Sequence, residues 1–183
     1  MAKGSDFTLY SGGHKGAETA FGELAERFGL TEVTYTFEGH APLRSRGLVA
    51  LTAEERARGD ISMEIVSIHM GRTYHGTDKI SKVFQSIFHM VNNAQHLFVV
   101  GWIQENGIVK GGTGWGVELA KFFNRPVSVY DQDKNAWFSW KNSAWVEDMP
   151  VIEAAKFAGT GTRNLSEQGL QALTALFERS FAK

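Results

Sequence analysis

Apolar residues at Ala17, Ala20, Phe21, Leu24, Ala25 and Phe28 recur with the spacing of one helical face, and they follow a short β-rich run, Phe7-Thr8-Leu9-Tyr10. Between the two lies Ser11-Gly12-Gly13-His14-Lys15-Gly16, so the pattern predicts strand, glycine loop and amphipathic helix. Val33-Thr34-Tyr35-Thr36-Phe37 predicts a second strand, ending in Glu38-Gly39-His40 and a polar segment with Arg44 and Arg46. Thr52 and Glu55 have capping-box spacing, which predicts a helix running toward Gly59, with another short helix over 61–70. Ile80, Val83, Phe84, Ile87, Phe88 and Val91 repeat the helical stripe and predict a helix over 78–93, closed by Asn92-Asn93.

Leu97 to Ile103 is a continuous apolar run, the pattern of a strand buried on both faces. A second glycine cluster, Lys110-Gly111-Gly112-Thr113-Gly114-Trp115-Gly116, follows it, and Val117, Ala120, Phe122 and Phe123 then predict a helix. Pro126 to Tyr130 predicts another strand, with Asp131-Gln132-Asp133 at its exit. Residues 134–149 break the pattern: Trp137, Phe138, Trp140 and Trp145 flank Lys141-Asn142-Ser143, an aromatic hairpin or flap that reads as core or as the subunit interface of a homo-oligomer. Lys156-Phe157-Ala158 predicts a last short strand, leading to the third glycine cluster, Gly159-Thr160-Gly161-Thr162-Arg163, and a helix striped by Leu170, Leu173, Leu176 and Phe177.

Strands alternating with amphipathic helices predict an α/β protein with a Rossmann-like three-layer sandwich: a mostly parallel five-stranded sheet, order 2-1-3-4-5, helices on both faces, and the aromatic hairpin as an insertion. No repeat or low-complexity linker appears, so a single domain over 1–183 is expected. In that order the first two glycine loops leave the carboxyl ends of the strands flanking the topological switch point, where open α/β sheets bind ligands.

Composition narrows the chemistry. With 43% hydrophobic and 21% charged residues the chain is an ordinary packed globule rather than a disordered one. The absence of cysteine removes disulfides, thiolate catalysis and iron–sulfur clusters. No run approaches the roughly 18–20 apolar residues of a membrane span, and the opening MAKGSDF lacks a secretory apolar stretch, so a soluble cytoplasmic protein without a membrane partner is expected. Nineteen basic against 20 acidic residues leave a net charge of -1, which argues against a nucleic-acid backbone as partner. None of the six histidines forms a metal-spaced pair on a predicted helix, so neither a metal nor another cofactor is called for.

Glycine loops that open onto helices present unpaired N–H groups and the positive end of the helix dipole, for which phosphate is the natural ligand. Neither a dinucleotide fingerprint nor a P-loop is present, since glycine is missing at Val117 and no Gly-Lys-Ser/Thr occurs. The expected ligand is a nucleotide or nucleotide-derived phosphate metabolite, held at 11–16 and 111–118.

The runs Tyr10-Ser11-Gly12-Gly13-x-x-Gly16-Ala17, Val109 to Glu118, Val129-Tyr130-Asp131-Gln132 and Phe157 to Arg163 together resemble the SLOG superfamily of Rossmann-like nucleotide-binding proteins, over nearly the whole chain. That superfamily joins the DNA-processing protein DprA to the LOG phosphoribohydrolases, and the nearest likeness is to stand-alone bacterial and phage members. LOG enzymes cleave the N-glycosidic bond of nucleoside 5′-monophosphates with a G-G-x-G-T-x-x-E motif, onto which Gly111, Gly112, Gly114 and Glu118 map, with Trp115 in place of the threonine. The resemblance implies Glu118 as catalytic carboxylate. It also keeps open two alternatives: a non-catalytic nucleotide sensor and DprA-like binding of single-stranded DNA.

The remaining candidates follow from residue chemistry. Ser11, Gly12, Gly13 and His14 are expected to contact the ligand from the first loop, and Gly111, Gly112, Thr113 and Gly114 from the second, where Trp115 either stacks on a base or anchors packing. Thr160, Gly161, Thr162 and Arg163 supply a third set, with the arginine fork suited to phosphate. Asp131, at a strand's carboxyl end, either binds ribose hydroxyls or caps a turn. Arg72 is the nearest match to an arginine that LOG enzymes bring from an earlier helix. Glu18, one residue into its helix, is expected to play a structural part at the helix dipole.

Overall fold

The computed structural model describes residues 4–75 and 79–182. In chain order the elements are β1 (Thr8–Ser11), α1 (Ala17–Arg27), β2 (Thr31–Thr36), β3 (Leu48–Ala50), α2 (Ala53–Ala57), α3 (Asp60–Met70), α4 (Lys79–Asn93), β4 (His96–Gly101), α5 (Thr113–Phe122), β5 (Val127–Asp131), β6 (Ala136–Lys141), β7 (Ala144–Asp148), β8 (Lys156–Gly161) and α6 (Glu167–Phe181). Position 78, the predicted start of α4, lies outside the described residues. The capping box at α2 forms as its spacing predicts: the Thr52 hydroxyl accepts from the Glu55 N–H, and the Glu55 carboxylate accepts from the Thr52 N–H.

All the strands join one sheet, in the order β3-β2-β1-β8-β4-β5-β6-β7. The first six in that order pair in parallel and the last two antiparallel. The Rossmann-like α/β class holds, with two corrections. The sheet has eight strands rather than five, because β3 extends one edge and the aromatic hairpin joins the other as β6 and β7 instead of standing off as a flap. The last strand enters between β1 and β4 rather than at the edge, pairing Leu9 with Phe157 on one side and Phe98 with Gly159 on the other.

Small residues explain that central place. A Cβ at Gly159 would sit 2.5 Å from the Phe21 ring, and one at Gly161 would sit 2.8 Å from the Ala17 side chain, so α1 lies directly on β8. On this face α1 and α6 bury Phe21, Leu24, Leu173 and Phe177 against Leu9, Phe98 and Phe157. On the other face α3, α4 and α5 bury Met63, Val66, Met90, Val91, Val117 and Leu119 against Leu97 and Val99. Successive residues of β4 thus serve opposite cores, which is why its sequence is apolar throughout. Ile80 departs from the predicted α4 stripe and is exposed. Gly159→Ala is expected to cost about 1–3 kcal/mol by overpacking against Phe21. The check is a lowered urea midpoint at unchanged denaturant slope.

Candidate functional site

Because β8 lies between β1 and β4, the three glycine clusters meet at adjacent carboxyl ends. The Ala17 N–H donates to the carbonyl of Thr162, joining the first loop to the third, and the Thr162 N–H donates to the carbonyl of Val100 beside the second. A cleft of about 390 Å³ opens there. It is lined by His14 and Glu18, by Val83, Phe84 and Ile87 of α4, by Gly101 and Trp102, by 110–113, and by 160–164.

The second loop carries the clearest anion-binding geometry. α5 begins at Thr113, four residues before the predicted start, so Gly114 and Gly116 are helical rather than loop residues. A Cβ at 114 would overlap the Val109 carbonyl, and one at 116 would meet Ile87 at 3.2 Å, so close packing selects both glycines. The N–H groups of Gly111, Gly112 and Thr113 find no acceptor among the described residues, while the Gly111 carbonyl accepts from the N–H of Gly114 and from Arg72. N–H groups without acceptors at the positive end of a helix of ten residues are the kind of feature that suits an anion. Beside them, the Lys110 ammonium makes no hydrogen bond or ion pair among the described residues and lies 5.6 Å from the centre of the Trp102 ring, while its backbone N–H donates to the Trp102 carbonyl. Arg163, across the third loop, is exposed, and its side chain has no hydrogen-bond or ion-pair partner among the described residues.

The first loop spends its polarity internally. Glu18, 5% exposed, accepts from the His14 N–H at 2.9 Å and the Thr160 hydroxyl at 2.8 Å, and its Oε2 lies 2.8 Å from His14 Nδ1. Burial pushes the Glu18 carboxyl up, but the His14 hydrogen bonds and charge, together with Thr160, outweigh it and hold the group below its ordinary value. His14 Nε2 in turn lies 3.1 Å from Nε2 of His40, whose Nδ1 lies 3.0 Å from the Thr36 hydroxyl. Burial, then the neighbouring His14, keeps the His40 imidazole below its ordinary value despite Glu18.

The cleft therefore brings together His14, Gly111, Gly112, Thr113, Thr160, Gly161, Thr162 and Arg163. Other candidates lie elsewhere. The buried Ser11 hydroxyl donates to the Gly159 carbonyl, so it is not offered to a ligand. Gly12 makes room for Glu18 and His14, and Gly13 accepts from the N–H groups of Leu43 and Arg44. Asp131, 1% exposed, caps a turn, accepting from the N–H groups of Ile103, Asp133 and Lys134. Trp115, 3% exposed, stacks on Phe84 as a packing anchor. Arg72 orders the second loop through the Gly111 carbonyl and does not line the cleft.

Glu118 is placed differently from its expected first-turn position. With α5 starting at Thr113 it falls in the second turn, ion-paired at 2.8 Å with Lys121, whose ammonium lies over Trp140 and Trp145. It is not among the residues lining the cleft. Sequence reasoning missed Lys110, Trp102, the buried part of Glu18, and His40. The signal for His40 was its place just beyond the second strand, which lies next to the first glycine loop in any order that pairs the first two strands in parallel.

A larger recess of about 770 Å³ opens near the amino ends of β4 and β5. Its cations are committed: Lys121 to Glu118, Lys141 to Asp148, and Arg125 to the Asn92 carbonyl. None of its lining residues opens a helix, so size alone favours it and the chemistry favours the smaller cleft. No helix among the described residues is long and apolar enough to cross a membrane.

No family model matches the chain, and no curated protein matches it. Among solved structures it is similar to the crystal structure of a "putative molybdenum carrier protein" from Syntrophus aciditrophicus, with 14% identity and a TM-score of 0.56, over 100% of this chain and 98% of that one. At that identity the likeness is one of fold, and it agrees with the Rossmann-like class.

Proposed function

We propose that the cleft binds a phosphate-bearing small molecule of the nucleotide class and acts as a binding module, a carrier or sensor. The observation that carries this reading is the convergence of three N–H groups at 111–113 with two cations, Lys110 and Arg163, none of which has a hydrogen-bond or ion-pair partner for that group among the described residues. Val83, Phe84, Ile87 and Trp102 add an apolar wall of the kind a base packs against, and a volume of 390 Å³ suits a small ligand. The resemblance of the glycine loops to nucleotide-binding SLOG proteins supports the same class, and the fold neighbour's name, a carrier, is in keeping with binding. The ion-paired position of Glu118 outside the cleft lining is the reason binding is favoured over N-glycosidic hydrolysis.

A thermal-shift and calorimetric panel of mononucleotides, cyclic nucleotides and ADP-ribose derivatives tests it. At least one should stabilise the fold, by about 2.7 kcal/mol at a hundredfold excess over its Kd. Failure of the whole panel, with an unrelated apolar metabolite binding elsewhere, overturns the reading. Glu118→Gln should leave ligand affinity within about twofold, since only an ion pair to Lys121 is lost. Free base released by the unmutated protein and abolished by that substitution would restore the hydrolase reading. In a low-salt gel shift, single-stranded DNA should remain unbound at submicromolar protein.

A further inference from the structure

We infer that His14 and His40 form a two-imidazole site for a divalent transition-metal ion at the edge of the cleft. The two Nε2 atoms lie 3.1 Å apart and the ring centroids 4.7 Å apart. A hydrogen bond along the line of the nitrogens would set the centroids about 5.4 Å apart, since each ring centre lies about 1.1–1.2 Å behind its nitrogen. Two nitrogens aimed at one shared point, about 2.05 Å from each, give about 4.8 Å and an angle near 100° at that point, between octahedral and tetrahedral values. The observed 4.7 Å matches the shared-point arrangement rather than the collinear one.

The outer contacts are of the matching kind. A metal-ligating histidine holds its other ring N–H on a carboxylate, carbonyl or similar acceptor, which fixes tautomer and orientation. Here His14 Nδ1 lies 2.8 Å from the Glu18 carboxylate, which can only accept, and His40 Nδ1 lies 3.0 Å from the Thr36 hydroxyl, which accepts when His40 takes the tautomer that leaves Nε2 free for a metal. With both Nδ1 atoms donating, two Nε2 lone pairs face each other, and a cation between them satisfies both.

Backbone geometry holds the pair in place. A Cβ at Gly12 would stand 2.8 Å from the Glu18 carboxylate and 3.1 Å from His14 Nδ1, so glycine there is what lets the two meet. Gly13, at φ 70°, presents its carbonyl to the N–H groups of Leu43 and Arg44, which ties the segment after His40 to the loop that carries His14.

The donor set selects the ion. Neutral imidazoles suit Zn²⁺, Co²⁺, Ni²⁺ or Cu²⁺ rather than Mg²⁺ or Ca²⁺. Among the described residues no cluster of three or more ligating side chains assembles, and Glu18 is engaged at Nδ1, so the other coordination positions fall to water or to an oxygen of whatever occupies the cleft that His14 lines. Arg163 and Lys79 act electrostatically on His40 against the ion, and Glu18 acts for it.

Tag-free protein is titrated with Co²⁺, followed by visible absorption, and then with Zn²⁺ as competitor. We expect one ion per chain, saturating below about 100 μM. His14→Ala and His40→Ala should each weaken uptake at least about tenfold and Thr36→Val by a smaller factor, while His69→Ala, at an exposed position of α3, leaves it unchanged. A long-range ¹H–¹⁵N spectrum of the unmutated protein needs no variant to fold, and on Zn²⁺ addition the Nε2 signals of His14 and His40 should shift. Absence of uptake at that concentration, uptake indifferent to both alanine variants, or shifts confined to other histidines overturns the proposal. Metal uptake is read without a nucleotide, so this test stands or falls separately from the anion reading.

Discussion

Arg163→Ala and Lys110→Ala are each expected to weaken binding of a phosphate-bearing ligand by ten- to a hundredfold, the range of about 1.5–3 kcal/mol for a hydrogen bond to a charged group. Both side chains line the cleft and neither has an ion-pair partner among the described residues, so their removal deletes ligand contacts while leaving the fold within about 0.5 kcal/mol. Arg72→Ala should act differently. It releases the Gly111 carbonyl that it orders, so it lowers affinity through a looser second loop. Calorimetric titration of the three variants, with urea denaturation beside it, separates these outcomes. Affinity and stability falling together in Arg163→Ala would assign that arginine to structure.

Acid should destabilise the protein by roughly 2–3 kcal/mol through His96 alone, as its pH window follows from one displaced imidazole. Burial pushes His96 down to about 4, an effect that Asp148 only partly offsets. In the unfolded chain it titrates near about 6.5. The unfolded state therefore binds the extra proton first as pH falls, so the contribution is fully present above about 6.5 and is lost on the way down through about 4. His96→Gln removes that titration. Urea unfolding of both proteins at pH 7.5 and 4.5 should show the unmutated chain losing more stability than the variant, and equal losses would contradict the assignment. The buried hydroxyls of Ser128 and Ser139, which continue the contact from His96 Nε2, are the neighbours that a charged imidazole would disturb.

Periodicity was enough to place α1, α4 and α6, because stripes such as Val83, Phe84, Ile87 and Val91 report which face is buried, and an unbroken apolar run was enough for β4. It could not place β8. Strand order depends on which neighbour accepts a strand, and here the deciding contact is Phe21 over Gly159, a fit between residues far apart in sequence. The start of α5 failed for a related reason. Glycine costs about 1 kcal/mol in a helix, so Gly114 and Gly116 read as loop, whereas the Val109 carbonyl and Ile87 leave no room there for a side chain. That shift of the helix start carried Glu118 out of the cleft lining and left the loop N–H groups in it. The proposed phosphate-binding role of 111–113 and 160–163 comes from the sequence, because it rests on backbone and local residue type, and the cleft that these residues line is what the structure adds. The His14 and His40 pair was not, since a search for helical ligand spacing cannot see two loops that parallel pairing of β1 with β2 sets side by side.

The most direct test of the cleft as an anion-binding site is a ¹H–¹⁵N amide titration of the whole chain with the best mononucleotide from the panel. The N–H groups of Gly111, Gly112 and Thr113 have no acceptor among the described residues and belong to the proposed phosphate site, so their signals, with that of Arg163, should move most and saturate with one Kd. Shifts that leave these four residues unmoved and cluster instead around His96, Lys141 and Trp140 would contradict the account and transfer the site to the recess at the other end of the sheet.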